Sequence, residues 1–212
     1  MEIVLPLCPF PNVYWFSAFL SNSEVSLDVG EHFVKQSYRN RFDIQGHLGR
    51  QSLSLPIQRA SGDKTPMGEI VLFEEYTAKK QHWRSLLSAY NSSPFFDYYR
   101  DSLEELFLAE HKELISFNQI SLDWLLKQLK ISKSYQLFSE FVEPQSDQID
   151  LRNNFKGKKW VERDFPKYFQ VFEERIGFES NLSALDLLFN MGPDAKSYLD
   201  KTAASFGLEY DI

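Results

Sequence analysis

The chain is predicted to be an α/β protein: an N-terminal, mostly parallel sheet with a hairpin, followed by a helical C-terminal half. Three observations carry this. Glu2 to Leu7 is a short aliphatic run stopped by Pro9 and Pro11, which reads as a buried strand entering a loop. Val13 to Leu20 is dense in rings and Glu24 to Val29 reads as a second strand, so the order is strand, loop, helix, strand, the opening of a parallel α/β unit. Past residue 77, apolar positions recur at spacings of three and four, which is the period of helices packed on one face.

Taken in order, the elements divide one domain into a strand-rich part over 1–76, a helical part over 77–131, and a mixed part with a closing helical segment over 132–212. Arg41 to Gln45 and Gln51 to Ile57 flank Gly46-His47-Leu48-Gly49 and read as a hairpin with a glycine-rich turn. A polar loop over Gln58 to Gly68 leads to a strand at Glu69 to Glu74. Lys79 to Tyr90 carries Trp83, Leu86, Leu87 and Tyr90 on one stripe. Ser93 followed by Pro94 reads as a helix cap with proline in the first turn, ahead of Phe96, Tyr99, Leu103 and Leu106. A third helix is marked by Leu114, Phe117, Leu122, Leu125 and Leu129. Lys133 to Val142 reads as a strand, and Glu143 to Lys159 as a polar loop. Ser183 opens a short apolar helix that Gly192-Pro193 closes, and a last helix follows from Asp194.

Composition excludes several function classes. The 212 residues carry a net charge of −7, which opposes a large nucleic-acid footprint. A single Cys8 forms no internal disulfide, and the four histidines show no HxxxH or HxH pattern, so no metal is expected. No signal segment or membrane-length apolar run is present, and the expected compartment is the cytoplasm, without membrane insertion. Glycine-rich nucleotide loops, a GxSxG elbow and a DxD pair are absent, and no cofactor is predicted. Aromatic residues make up 16% of the chain. Trp83, Tyr90, Phe96 and Tyr99 follow helical spacing and are assigned to packing, leaving Tyr38 and Tyr168 as rings available for ligand stacking.

Three clusters are able to carry chemistry. Lys35-Gln36-Ser37-Tyr38-Arg39-Asn40-Arg41 is a basic knot in an acidic chain. If extended, it points Arg39 and Arg41 to one face, where two guanidinium forks suit a phosphate or carboxylate. The competing reading is a solvated edge or two structural arginines paired to carboxylates elsewhere. Lys79-Lys80-Gln81-His82-Trp83-Arg84 places cations at a helix start, where the backbone is already positive. Either solvent tolerates them or an anion sits there, with His82 and Arg84 as its partners. In Leu182 to Asn190, Asp186 and Asn190 stand four apart on an apolar helix. Asp186 also falls three residues after Ser183, a capping-box-like spacing; a buried polar pair lining a ligand cavity is the other reading. Cys8 follows the first strand, where open α/β sheets place ligands, but no histidine is assignable as its base, so it reads as a small apolar residue.

The segments KQSYRNR (35–41), LSLPI (53–57), QHWRSLLSAYNSSPFFDYY (81–99) and the stretch from Tyr168 to Leu199 with NLSALDLLFN and GPDAKSYL together resemble the WbqC-like family of bacterial proteins, over nearly the whole chain. The resemblance implies a role in bacterial surface polysaccharide, chiefly O-antigen, synthesis. Three positions depart from the family pattern: Cys8-Pro9-Phe10-Pro11-Asn12 in place of a Gln-Pro or Tyr-Phe-Pro element, Phe169 in place of a tyrosine, and Met191 in place of a glutamate. The function expected is a transferase using an activated anionic donor, a nucleotide-sugar or an acyl or aminoacyl (glycine) donor. Asp186 or His82 is the expected general base, and Lys35, Tyr38, Arg39, Asn40, Arg41, Arg84, Tyr168 and Asn190 are the expected substrate contacts. The alternative is a non-catalytic module that binds a metabolite or a partner protein.

Overall fold

The computed structural model describes residues 2–58, 64–73, 76–141, 143–156 and 165–205, with only the backbone for 76–78. Four short parallel strands make the main sheet: β1 (Glu2–Pro6), β2 (Glu24–Asp28), β7 (Gln136–Phe138) and β8 (Gln148–Asp150), in the order β7-β2-β1-β8. Glu2 lies opposite Glu24 on one side and Gln148 on the other. Between β1 and β2 runs α1 (Val13–Ser21), capped by the Asn12 side chain, which accepts from the Trp15 amide at 2.9 Å. The predicted strand–loop–helix–strand opening is present, and the fold is α/β as expected.

A hairpin, β3 (Arg41–Gly46) with β4 (Gly49–Ser54), sits apart from the sheet and pairs Arg41 with Ser54 through Gly46 with Gly49. Gly49 has φ +112°, a turn conformation that favours glycine. The strand expected at Glu69 to Glu74 shrinks to β6 (Val71–Leu72), paired with β5 (Ile57–Gln58), because Met67–Glu69 closes into a 3-10 turn; Glu74 lies outside the described residues.

Helices α2 (Tyr76–Tyr90), α3 (Phe96–Leu108) and α4 (Leu114–Gln128) follow as their stripes predict. Ser93 does not cap α3. The helix begins at Phe96, and Phe95 instead donates its amide to the Phe189 carbonyl at 3.0 Å. The chain from Glu143 contains β8 where only a loop was expected. Three residues with one apolar member carry no strand period of their own, and pairing with β1 makes the strand. Val142 and residues 157–159 of those two predicted segments lie outside the described residues. A short α5 (Glu173–Ile176) precedes α6 (Ala184–Met191) and α7 (Ala195–Ser205).

One apolar core joins Ile3, Leu5, Val25 and Leu27 of the sheet with rings from α1, the hairpin and the later helices. Phe10 sits at its centre, stacked on Phe107 at 5.3 Å and edge-on to Phe42 and Phe117. Trp83, Tyr90, Phe96 and Tyr99 are all buried, as their spacing predicts. Among the described residues no helix is long and apolar enough to cross a membrane.

Candidate functional site

The carboxyl ends of parallel strands are where open α/β sheets bind ligands, especially beside the strand at which the connections diverge. Here that strand is β1, with β2 on one side and β8 on the other. The loop leaving β1 makes one wall of a narrow crevice, too tight to hold a water, lined by Cys8, Pro9, Pro11, Asn12, Trp15, Tyr38 and Phe155. Of the four non-glycine residues with positive φ among the described residues, Phe10 and Gln36 border this region in sequence and Asn181 reaches it through a hydrogen bond to Tyr14. Such conformations persist only where the surroundings over-determine them. Phe10 is held by its amide bond to Ser121 Oγ at 3.2 Å and by Ser183 Oγ, which donates to the Phe10 carbonyl at 2.8 Å. Asn181 Oδ1 accepts from the Tyr14 amide at 2.9 Å.

The arginine motif arrives at this place in a form the alternation rule does not anticipate. Ser37 caps a 3-10 turn over Tyr38–Asn40, and β3 begins only at Arg41. Arg39 and Arg41 therefore do not present twin forks to one face. Arg39 is fully buried, and its Nε and Nη2 donate to Glu31 at 2.7 and 2.6 Å. Nη2 also donates to the Arg152 carbonyl at 3.2 Å. Its role is the structural pairing that was the competing reading. Arg41 is half-buried and lies over the Tyr38 ring, 5.1 Å from the centroid. The Tyr38 hydroxyl donates to Asp43 Oδ2 at 2.7 Å, and burial, then the Asp43 charge, pushes its pKa well up, so it is a neutral donor. Asp43 also receives Ser52 Oγ and, at 3.4 Å, Arg50. Asn40 ties its amide to the Leu55 carbonyl at 3.0 Å, and Lys35 is exposed.

A cluster of charges missed in the sequence fills the ends of β2 and β8. Arg152 bridges Asp28 and Asp150, donating to Asp150 through Nε at 2.9 Å and Nη2 at 2.8 Å and to Asp28 through Nη1. For Asp150, burial opposes the charged form, but the bonds and charge of Arg152 outweigh it and hold the carboxyl below its ordinary range. For Glu31, burial wins over both bonds from Arg39 and pushes the carboxyl up. Beside this cluster the Cys8 thiol is pushed up to about 12 by burial, against the pull of Arg39, so it stays protonated at neutral pH. The readable signal was Asp28 and Glu31 at the end of a predicted parallel strand; Arg152 lay inside the supposed polar loop.

Asp186 forms a second centre. Its carboxylate is fully buried and accepts from Tyr90 Oη at 2.8 Å, Tyr168 Oη at 2.7 Å and Gln170 Nε2 at 3.0 Å. Gln45 in turn donates to Gln170 Oε1 at 3.0 Å. Burial pushes Asp186 up, and the bonds from Tyr168, Tyr90 and Gln170 only partly restrain it. The carboxylate is not a capping group: the Ser183 amide goes to the Asp43 carbonyl, and Ser183 Oγ itself caps Leu185 at 3.2 Å. Asn190, also buried, donates to the Asp186 carbonyl at 2.8 Å, which makes the pair a packed polar stripe. Tyr168 is buried against Phe178 and Tyr198 and offers no face for stacking.

Lys79 reaches the Ala109 carbonyl at 2.7 Å, at the end of α3, and Arg84 is exposed. His82 is half-buried, and burial holds it below the usual imidazole range, hence neutral at pH 7. Of the predicted site residues, Tyr38 lines the crevice itself, with Asn40 and Arg41 adjoining it in sequence and Arg39 behind in the ion-pair cluster. Asp186, Tyr168 and Asn190 share the second centre.

The model of the WbqC-like protein family matches residues 10–162, most of the strand-rich part and all three long helices. The chain belongs to the WbqC-like family. An uncharacterised protein, Rv1507c of Mycobacterium tuberculosis, is 27% identical over 193 residues, covering 79% of this chain and 83% of that one. No solved structure matches it. The matched region contains the crevice loop from Phe10 onward, the arginine motif and the Asp28–Arg152 cluster, whereas the Asp186 centre draws Tyr168, Gln170 and Asp186 from beyond it.

Proposed function

We propose that this WbqC-like protein is a transferase that binds an activated, anionic small-molecule donor at the mouth of the crevice at the carboxyl ends of the sheet. The observation that carries the reading is the position of the arginine motif, whose Tyr38 lines that crevice with Arg41 stacked on its ring. Arg41 is assigned to the phosphate or carboxylate of the donor, and the Tyr38 hydroxyl supplies a neutral hydrogen bond. The crevice has no room for even one water in this conformation, so a nucleotide-sugar or an acyl or aminoacyl (glycine) donor is placed at its mouth rather than inside it. The transferred carbon separates from its leaving group, which departs as the anion, and bonds to an amine or hydroxyl that gives up its proton to solvent water. Family membership supports a place in bacterial surface polysaccharide synthesis, in the cytoplasm where such donors are made. Arg39 and Asp186 enter as positioning residues, since both are enclosed in their own networks.

A second reading, a binding module without turnover, is favoured by one feature: the lining offers no ionised base, its one titratable thiol being held protonated. Thermal-shift and calorimetric titrations with UDP-glucose, acetyl-CoA and a glycyl-adenylate mimic test both. At least one donor is expected to bind, with Arg41→Ala weakening it about ten-fold or more, the size of a lost charge-assisted bond. Equal binding by Arg41→Ala, or no binding at all, defeats the donor assignment. Binding without any group transfer to amine or hydroxyl acceptors selects the module.

A further inference from the structure

The main sheet has two unlike faces. Ile3, Leu5, Val25 and Leu27 point into the core shared with α1. The other face is mixed: Val4, Pro6 and Phe138 alternate there with the polar Glu2, Glu24, Ser26, Asp28, Gln136, Gln148 and Asp150. Parallel sheets are ordinarily apolar and covered on both faces, so the carboxylates on this face call for an occupant of matching chemistry. At the carboxyl ends of the strands that occupant is internal: Arg152 lies between Asp28 and Asp150, with the Phe141 ring 4.6 Å from its guanidinium. At the amino ends the same row of acids recurs as Glu2 and Glu24, directly opposite each other. There the Glu2 carboxylate is met by neutral donors, Ser26 Oγ and, at 2.6 Å, Gln148 Nε2. Among the described residues no cation pairs with either acid. Above them is a cavity of about 350 Å3, walled by both glutamates, Ser134, Tyr135, Gln136 and Phe138.

We infer that this cavity binds a small organic cation, a primary amine that also carries hydrogen-bonding groups, in the place that Arg152 takes at the other end of the face. Two carboxylates supply the charge complement, hydroxyl and amide groups suit a hydroxylated or amide-bearing body, and Phe138 adds an apolar wall. The volume lies at the lower end of small-molecule sites. No group of three or more His, Cys, Asp or Glu side chains is placed to hold a metal among the described residues, which favours an organic cation over a divalent ion. The site lies a strand's length, on the order of 15 Å, from the crevice at the carboxyl ends, and it stands or falls separately from the donor assignment.

Titration of the full chain, 15N-labelled, with 2-amino-1,3-propanediol, 1,4-diaminobutane, glycerol and calcium chloride, followed by NMR, tests the inference. The two amines are expected to shift the amides of Ser26, Gln136 and Gln148 saturably, with glycerol binding at least about ten-fold more weakly, the worth of a charge-assisted bond. Glu24→Gln, at an exposed position, is expected to weaken amine binding about ten-fold while melting at the wild-type temperature. Amine shifts elsewhere on the protein, undiminished binding by Glu24→Gln, glycerol equal to the amines, or saturable calcium binding without amine binding each overturns it.

Discussion

Two buried carboxylate centres in this protein solve the same problem with different chemistry. At the ends of β2 and β8, Glu31, Asp28 and Asp150 are met by guanidinium groups. At the start of α6, Asp186 is met by two phenols and an amide, none of them charged. An ion pair recovers much of its desolvation cost only while both partners stay in place. A carboxylate among neutral donors carries no such mutual dependence, and its cost appears as a raised pKa. The first centre therefore resists substitution least, and the second carries a raised carboxyl with no cation beside it.

The largest effect is expected from the ion pair. Arg39→Ala leaves Glu31 buried without its fork and is expected to lower stability by about 3–5 kcal/mol, read by urea denaturation. Asp186→Asn is expected to cost less, about 1–3 kcal/mol near pH 7, because one neutral acceptor oxygen remains for the tyrosines. A loss for Asp186→Asn equal to that of Arg39→Ala removes the distinction between the centres.

The pH dependence sharpens the contrast through its sign. For Asp186 the folded pKa is raised, so the folded state holds its proton longer. Stability from this group is present below the unfolded pKa and falls as pH rises through the folded value. For Asp150 the folded pKa is lowered, so its contribution is present above the unfolded value and disappears as pH falls through the folded one. Denaturation profiles of Asp186→Asn and Asp150→Asn, each subtracted from the wild type, are expected to slope in opposite directions. Parallel slopes contradict the geometry. The smallest effect belongs to Tyr168→Phe, expected to cost about 1–2 kcal/mol, since Tyr90 and Gln170 still donate to Asp186. A loss larger than that of Asp186→Asn makes the phenol, not the carboxylate, the centre of the network.

How far the site was legible follows the same division. Asp186 and Asn190 were legible as a polar stripe because both lie within one helix turn of each other. Their partners Tyr90, Tyr168 and Gln170 come from 16 to 96 residues away, and no local spacing connects them. The arginine motif was legible as a cluster, but its geometry was not: Ser37 closes a 3-10 turn at Tyr38, and one residue of turn sends Arg39 inward to Glu31 while Arg41 goes to Tyr38.

The α/β class, the opening unit, the hairpin, the three long helices and the aromatic core follow from the sequence alone, since each rests on a repeat of two or of three to four residues acting locally. Tertiary structure alone decided the fourth strand, whose three residues exist as β8 only against β1. It also decided which charges meet, because a buried guanidinium goes to whichever carboxylate the fold carries within reach, across 8 residues for Glu31 and Arg39 and 124 for Asp28 and Arg152.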